Sequence, residues 1–373
     1  MTANRLEADV SQDPLRSDPD AAMPEHTLFA DDLKQGSHLL DGQYTIIDFL
    51  NSGGFGITYL ARDSLDRIVV IKECFPSALC QRSGSTVRAR SRKHATEFRS
   101  FVQTFVEEAR SLSKLVHPNI VGVHQVFEDN DTAYMAIDFI DGKDLQDILE
   151  STDQAFTQDE VVVLLRKMLS AVEFIHQAGI LHRDISPDNI LLDANRNPVL
   201  IDFGAASQEL VQDTRVLTGR RVVKDGYSPQ EFYLTGAEQT AASDLYALGA
   251  TFYHIITGRA PPHSQRRLAS VAEGTADPYR PLEGSYPGYP PGFLATIDQA
   301  TRVLQKDRLQ CAADWIALLP GEAGDPVAEP TALVDEPSTL AAGDVLSRNF
   351  GFVIGAGTVF VLAAMVGLWR YFT

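Results

Sequence analysis

A glycine-rich stretch and a lysine downstream of it have the residue types that bind phosphate. The glycines lie in the run Asn51-Ser52-Gly53-Gly54-Phe55-Gly56. Three glycines in four residues let backbone N–H groups approach an anion, although a glycine-rich hairpin without a ligand has the same composition. Lys72 follows inside an apolar segment, where a lysine is costly unless its ammonium group reaches an anion. The two features together predict a site for the phosphates of a nucleotide.

The densest group of polar side chains lies further along the chain. It is the run His182-Arg183-Asp184-Ile185-Ser186-Pro187-Asp188-Asn189, and Asp202-Phe203-Gly204 follows 13 residues after its end. The glycine-rich loop, the strand lysine, His-Arg-Asp with a downstream Asn, and Asp-Phe-Gly occur in this order within residues 42–320. In the content and order of these motifs the chain resembles the protein kinases, and specifically the eukaryotic-type Ser/Thr kinases of bacteria.

The resemblance implies that the chain uses ATP and Mg²⁺ for phosphoryl transfer. Asp184 would orient the acceptor hydroxyl and take its proton. Asn189 and Asp202 would hold the Mg²⁺ ions that bridge the phosphates.

Further contacts with ATP follow from the same resemblance. Lys72 would contact the α- and β-phosphates and pair with Glu108 of a helix, with the neighbouring Glu107 as the alternative. The backbone groups of Asp138 and Ile140 would bind the adenine base, because they lie in a segment that resembles the family's hinge. The glycine-rich loop, from Asn51 to Gly56, would cover the phosphates.

Three positions depart from the family's pattern. Asn51 replaces the first glycine of the loop, and asparagine tolerates a positive φ better than most residues. Ser186 stands where the Ser/Thr members carry a lysine that contacts the γ-phosphate, and Lys224 stands where the family commonly has a threonine. We therefore expect Lys224 to supply the charge that Ser186 lacks. The alternative is a solvated loop lysine in a slow or inactive enzyme.

Two anchoring interactions are also implied. Residues 202–231 would form the activation segment, and Glu231 at its end would make a buried ion pair with Arg308. Asp244 would hold the catalytic loop, residues 182–189, by hydrogen bonds, or would be an ordinary carboxylate at a helix N-terminus.

The order of the predicted elements indicates the fold class. Short β-branched and aromatic segments come first, at residues 44–49, 57–60 and 68–71. Helical patterns follow in the stretch 101–115, after the capping box Thr157-Gln158-Asp159-Glu160, and from 244 to 256. This order predicts an α+β architecture with two lobes. The resemblance makes it a protein kinase fold, with a small β-rich N-lobe carrying helix C and a larger α-helical C-lobe.

Composition excludes several classes of protein. The 373 residues include 32 Lys and Arg against 50 Asp and Glu, for a formal net charge of −18. A nucleic-acid binder needs a surplus of basic residues, so no nucleic-acid partner is expected. A hydrophobic content of 44% excludes a wholly disordered chain. Three scattered cysteines offer neither a disulfide framework nor metal-ligand spacing and indicate a reducing cytosol.

The two ends of the chain differ from its middle. Residues 1–37 predict a disordered acidic tail without an export signal, and residues 38–320 form one continuous region, the predicted kinase domain. Residues 321–349 predict a linker. Residues 350–369 lack charged side chains and would span a membrane as a helix, with a buried core helix as the alternative, before the short tail 370–373.

The predicted membrane helix indicates where the protein acts. A large domain without an export signal stays in the cytoplasm, so we expect a single-pass protein of the cell membrane with its kinase domain inside. Gly351 and Gly355 form one GxxxG spacing. It fits a homodimer through closely packed helices or a glycine-containing helix that does not dimerise.

Two further segments suggest regulation. An insertion of about 20 residues, 75–93, is rich in Arg and Lys and would be a solvated loop or a contact for anionic lipid or an acidic regulator. Thr214 and Thr218 are candidate autophosphorylation sites, although threonines are common in flexible surface loops.

The expected function is ATP-dependent phosphorylation of Ser/Thr hydroxyls on cytosolic proteins and on the chain itself. One alternative is a pseudokinase that binds nucleotide with weak or no transfer, which Asn51 and Ser186 favour and the intact catalytic residues oppose. The second is a small-molecule phosphotransferase on a related fold. A complete activation segment with Glu231 and Arg308 weighs against it.

Overall fold

The structure is a computed structural model that describes residues 31–151, 156–203, 223–234 and 236–320. Two hydrophobic cores divide this part of the chain into a small lobe built mainly from strands and a larger lobe built mainly from helices. The strand-rich lobe comes first along the chain. The predicted two-lobed α+β architecture is therefore confirmed.

The small lobe contains the first eight strands, which are β1 (His38–Leu39), β2 (Tyr44–Ser52), β3 (Gly56–Asp63), β4 (Ile68–Cys74), β5 (Cys80–Ser83), β6 (Thr86–Ala89), β7 (Val123–Asp129) and β8 (Thr132–Asp138). Six of them form one antiparallel sheet in the order β1-β2-β3-β4-β8-β7. Buried and less buried residues alternate along β3 and β4, because successive side chains of a strand point to opposite faces. Tyr59 of β3 and Ile71 of β4 are fully buried. The three predicted strand segments lie within β2, β3 and β4.

Helix α1 (His94–Leu112) packs against β7 and β8. Its buried residues recur at helical spacing: Phe98, Phe101, Val106, Ala109 and Leu112. The predicted helical stretch 101–115 therefore begins seven residues too late, because Phe98 already belongs to the apolar stripe.

The larger lobe contains helices α2 (Leu145–Glu150), α3 (Gln158–Gln177), α4 (Ala241–Thr257), α5 (Ser264–Ala272), α6 (Phe293–Ala300) and α7 (Ala312–Leu318). A small sheet adds β9 (Gly142–Asp144), β10 (Ile190–Asp193) and β11 (Pro198–Leu200). The capping box that begins α3 is confirmed, with reciprocal hydrogen bonds between Thr157 and Glu160. Helix α4 is followed by Gly258, whose φ of +73° is the left-handed conformation that glycine adopts without strain.

The basic insertion is a β-hairpin of β5 and β6, and one of its arginines is buried. The Arg82 side chain is 3% exposed and forms an ion pair with the fully buried Glu73 of β4. The hydroxyl groups of Tyr59 and Tyr134 also donate to Glu73, at 3.0 and 2.7 Å. The expectation of a solvated loop is therefore wrong for Arg82. It holds for the exposed residues Arg88, Arg90, Arg92 and Lys93.

Arg82→Met is expected to lower the free energy of unfolding by about 2–3 kcal/mol, because it leaves Glu73 buried without its cation. The two tyrosine hydroxyls still satisfy part of the carboxylate, which keeps the loss below that of a completely unpaired charge. Chemical denaturation measures the change. Arg88→Met, an exposed residue of the same hairpin, is the control, and equal stabilities of the two variants would contradict the prediction.

The packed region extends ahead of residue 38, where the domain was predicted to begin. Leu33 is buried, and its backbone N–H donates to the Tyr59 hydroxyl at 3.1 Å. The Asp31 carboxylate accepts the backbone N–H of Arg82 at 3.0 Å. Residues 31–37 therefore belong to the small lobe, and the remainder of the predicted acidic tail, 1–30, lies outside the described residues.

Several predicted segments lie outside the part of the chain that the structure describes: the linker 321–349, the membrane helix 350–369, the tail 370–373, and the threonines Thr214 and Thr218. Among the helices of the described ranges, none is both long and apolar enough to span a membrane.

Candidate active site

Lys72 of β4 reaches across to Asp202, which follows β11. Its Nζ atom lies 2.5 Å from Oδ1 of Asp202, and the side chains are 17% and 44% exposed. Both residues line a pocket with Leu112, Ile120, Val121, Val123, Met135, Ile137 and Phe203. An ammonium group, a carboxylate and an apolar wall therefore meet at one place, as a nucleotide site requires.

The loop between α3 and β10 carries Asp184 and is hydrogen-bonded to Asp244 of α4. The two carboxylate oxygens of Asp244 accept the backbone N–H groups of His182 and Arg183 at 2.9 and 2.8 Å. Burial acts to raise the pKa of Asp244, but the hydrogen bond and charge of His176, the charge of His182 and the backbone N–H of Arg183 together outweigh burial and lower it. The prediction that Asp244 holds the catalytic loop is confirmed. In the same loop the backbone of Arg183 has a φ of +66°.

Asn189 fixes the orientation of Asp184. Its side-chain nitrogen donates to the backbone oxygen of Asp184 at 2.7 Å and to the carboxylate oxygen Oδ2 at 2.9 Å. Burial raises the pKa of Asp184 to about 6, and the Lys224 ammonium group opposes this rise. At pH 7 the carboxylate is therefore mostly ionised and more basic than an ordinary Asp carboxylate, a suitable state for accepting a proton from a hydroxyl group.

Lys224 lies beside Asp184, although 40 residues separate them in sequence. Its Nζ atom is 3.2 Å from Oδ2 of Asp184, 2.7 Å from the hydroxyl oxygen of Ser186 and 2.8 Å from Oδ2 of Asp188. No role was expected for Asp188 from its place in the sequence. Its carboxylate also accepts the Ser186 hydroxyl at 2.7 Å, so it connects Ser186 to Lys224.

Asn189 and Asp202 have the oxygen atoms that Mg²⁺ prefers. Because the amide nitrogen of Asn189 is bonded to Asp184, its carbonyl oxygen is the atom left for a metal. The backbone N–H of Ile201, next to Asp202, donates to the backbone oxygen of Asn189 at 3.0 Å, which brings the two candidate ligands close together. One carboxylate and one amide, completed by water and phosphate oxygens, fit the usual Mg²⁺ coordination.

The glycine-rich loop joins β2 to β3. Gly53 and Gly54 are exposed at the turn, whereas a Cβ at Gly56 would lie 2.7 Å from the backbone oxygen of Glu73, so a side chain does not fit there. The Phe55 ring stacks on Phe101 of α1 at 5.6 Å, so its side chain contacts that helix.

Asn51 lies in the extended strand β2, opposite Thr58. Its φ is not positive, so the tolerance of asparagine for a positive φ has no bearing at this position, where an extended backbone suits most residues. Contact of the loop residues with ATP stays a prediction.

The other residues predicted to contact the nucleotide lie on α1, at the end of β8 and in the connection that follows β8. Glu108 is half-buried on α1, a helix that contacts β4. Asp138 ends β8, and its carboxylate binds the backbone N–H of Gly122 at 2.8 Å, leaving the predicted adenine contact to main-chain atoms. Ile140 follows in the connection to β9. The ATP contacts of these three residues stay predictions.

The predicted ion pair between Glu231 and Arg308 is confirmed. The carboxylate receives two hydrogen bonds from the guanidinium, at 2.7 and 3.1 Å, and the side chains are 4% and 0% exposed. The hydroxyl group of Ser243 adds a third, at 2.8 Å. This pair anchors the end of the activation segment, seven residues after Lys224, to the core of the larger lobe.

Comparison with known proteins identifies the family. A family model described as "Protein kinase domain" matches residues 44–280, more than half of the chain. Serine/threonine-protein kinase PrkC of Bacillus subtilis is 30% identical over 223 residues, which cover 60% of this chain and 31% of the relative. Serine/threonine-protein kinase C of Synechocystis is 32% identical over 330 residues, which cover 83% and 55%. The chain thus spans between 31% and 55% of the length of these relatives.

Solved structures agree with this assignment. The structure titled "PpkA-294 apo form" superposes with a TM-score of 0.67 and 34% identity over 78% of this chain and all of the other. The kinase domain of Mycobacterium tuberculosis PknI, with a TM-score of 0.52 and 23% identity, covers 77% of this chain and 97% of that domain and supports the fold. The chain therefore belongs to the protein kinase family and is related to the eukaryotic-type Ser/Thr kinases of bacteria.

Proposed function

We propose that the protein transfers the γ-phosphate of ATP to Ser/Thr hydroxyl groups of cytosolic proteins and of itself, while its C-terminal helix holds it at the membrane. The observation that supports this proposal most is the convergence of Lys72, Asp184, Asn189 and Asp202, from both lobes, on one site. The similarity to bacterial Ser/Thr kinases supports it independently.

In the proposed reaction the acceptor hydroxyl oxygen forms a bond to the γ-phosphorus, and the bond between that phosphorus and the bridging oxygen of ADP breaks. The ionised Asp184 orients the hydroxyl and takes its proton. Lys72, paired with Asp202, presents a positive charge to the phosphates. Mg²⁺ held by Asn189 and Asp202 would neutralise phosphate charge. Transfer therefore depends on positioning and electrostatics.

Asp184→Asn tests this function, since an amide keeps the hydrogen bond with Asn189 and cannot take a proton. We expect at least a hundredfold slower autophosphorylation and transfer to a generic Ser/Thr protein substrate, with Mg²⁺-ATP binding retained. Radiolabelled ATP and the full chain suit the measurement, with the exposed Asp48→Asn as control. Tight ATP binding by the unaltered chain without any transfer would instead support the pseudokinase.

The membrane tether needs its own test. The full chain, expressed in bacterial cells, is expected in the membrane fraction after a high-salt wash, because 20 uncharged residues match the hydrocarbon thickness. A chain that ends at residue 349 is expected in the supernatant. Recovery of the full chain in the supernatant would contradict the tether without affecting the proposed kinase reaction.

A further inference from the structure

Lys224 is a positioned side chain at the centre of the catalytic loop. Its ammonium group contacts Asp184, Ser186 and Asp188 within 3.2 Å, and only 26% of the side chain is exposed. These contacts show that the charge of Lys224 is paired with neighbouring carboxylates, unlike the charge of a solvated loop lysine.

The backbone of Lys224 is fixed as firmly as its side chain. Its N–H donates to the Ser228 hydroxyl at 2.8 Å, and its carbonyl oxygen accepts the N–H groups of Tyr227 and Ser228 at 3.0 and 2.9 Å. The backbone oxygen of Ser228 in turn accepts the hydroxyl group of Ser264 on α5, at 2.8 Å. This turn connects Lys224 to the core of the larger lobe, so little conformational freedom remains to be lost when a phosphate binds.

The charges around Asp184 show what this lysine adds. Asp184, Asp188 and Asp202 bring three carboxylates to the catalytic loop and its surroundings, and Lys72 is paired with Asp202. Ser186 has a hydroxyl group and no charge. An acceptor hydroxyl at Asp184 and a phosphoryl group in transfer would both lie next to this loop, where negative charge develops during transfer. Lys224 is the cation that the structure places against Asp184.

We propose that Lys224, delivered by the end of the activation segment, stabilises the transferring phosphoryl group in place of a cation on the catalytic loop. This inference rests on the proposed kinase reaction and assigns one of its residues. Lys224 forms and breaks no bond, and Asp188 is a positioning residue that holds it. Since the charge belongs to the activation segment, transfer requires that residues 224–228 be docked as they are here.

The test moves the charge back to the loop. Lys224→Thr in the full chain is expected to lower kcat about a hundredfold, while the KM for ATP changes less than threefold. The double variant Ser186→Lys, Lys224→Thr is expected to recover at least tenfold of that loss, because the cation again lies beside Asp184. Lys306→Thr, at an exposed position outside both residues 182–189 and the activation segment, is the control for removal of a charge.

A binding measurement provides a readout independent of turnover. By calorimetry, Lys224→Thr is expected to bind ADP with Mg²⁺ as the unaltered chain does, and to bind ADP with Mg²⁺ and aluminium fluoride, which resembles the transferring phosphoryl group, at least tenfold more weakly. Unchanged kcat in Lys224→Thr, or a double variant no faster than the single one, would overturn the role of Lys224 alone. Absence of transfer by the unaltered chain would overturn the kinase proposal as well.

Discussion

Asp202→Asn is expected to slow phosphate transfer about a thousandfold, which corresponds to roughly 4 kcal/mol of lost transition-state stabilisation. The carboxylate of Asp202 lies 2.5 Å from the Lys72 ammonium group and is the charged member of the candidate Mg²⁺ pair. An amide loses that charge and weakens both interactions. The backbone at Asp202 has a φ of +62°, a conformation that asparagine also tolerates, so the variant is expected to fold.

Initial rates at increasing Mg²⁺ concentration measure this effect. The variant is expected to need more Mg²⁺ than the unaltered chain and to stay slow at saturation. Asp66→Asn is a matched control, since Asp66 is 88% exposed and also has a positive φ, of +61°. A variant at position 202 with the rate of this control would rule out a role for Asp202 in metal binding.

Arg308→Met is expected to lower the free energy of unfolding by about 4 kcal/mol, because it leaves Glu231 as a buried charge without its cation. The guanidinium also donates to the backbone oxygens of Arg302 and Val303, at 2.7 and 2.9 Å, and lies over the ring of Tyr246. Glu231 keeps one hydroxyl donor, from Ser243, whereas Glu73 keeps two, so the loss is larger than that expected for Arg82→Met.

Urea denaturation followed by circular dichroism measures this loss. Arg302→Met removes a neighbouring exposed arginine and is expected to change stability by less than about 0.5 kcal/mol. A second variant, Glu231→Gln with Arg308→Met, removes both charges and is expected to recover part of the loss. Similar stabilities for Arg308→Met and Arg302→Met would show that the ion pair contributes little.

Local patterns predicted many elements correctly because their signals lie within a few residues. Alternation of β-branched and aromatic residues marked β2 to β4, and the capping box marked the start of α3. Such signals failed for the hairpin β5–β6, since the burial of Arg82 depends on Glu73, a partner outside the insertion. The early start of α1 was missed because Phe98 lies next to the charged insertion.

The sequence by itself determined the family, because several catalytic motifs that occur along one chain in the family's order are specific, and it indicated Asp184, Asn189, Asp202 and Lys72 as the centre of the site. It also raised the possibility that Lys224 acts there. Only the tertiary structure decided that Lys224 lies against Asp184 and is held by Asp188. The physical reason is that contacts between residues 36 to 40 positions apart depend on the path of the chain between them, which residue spacing does not encode.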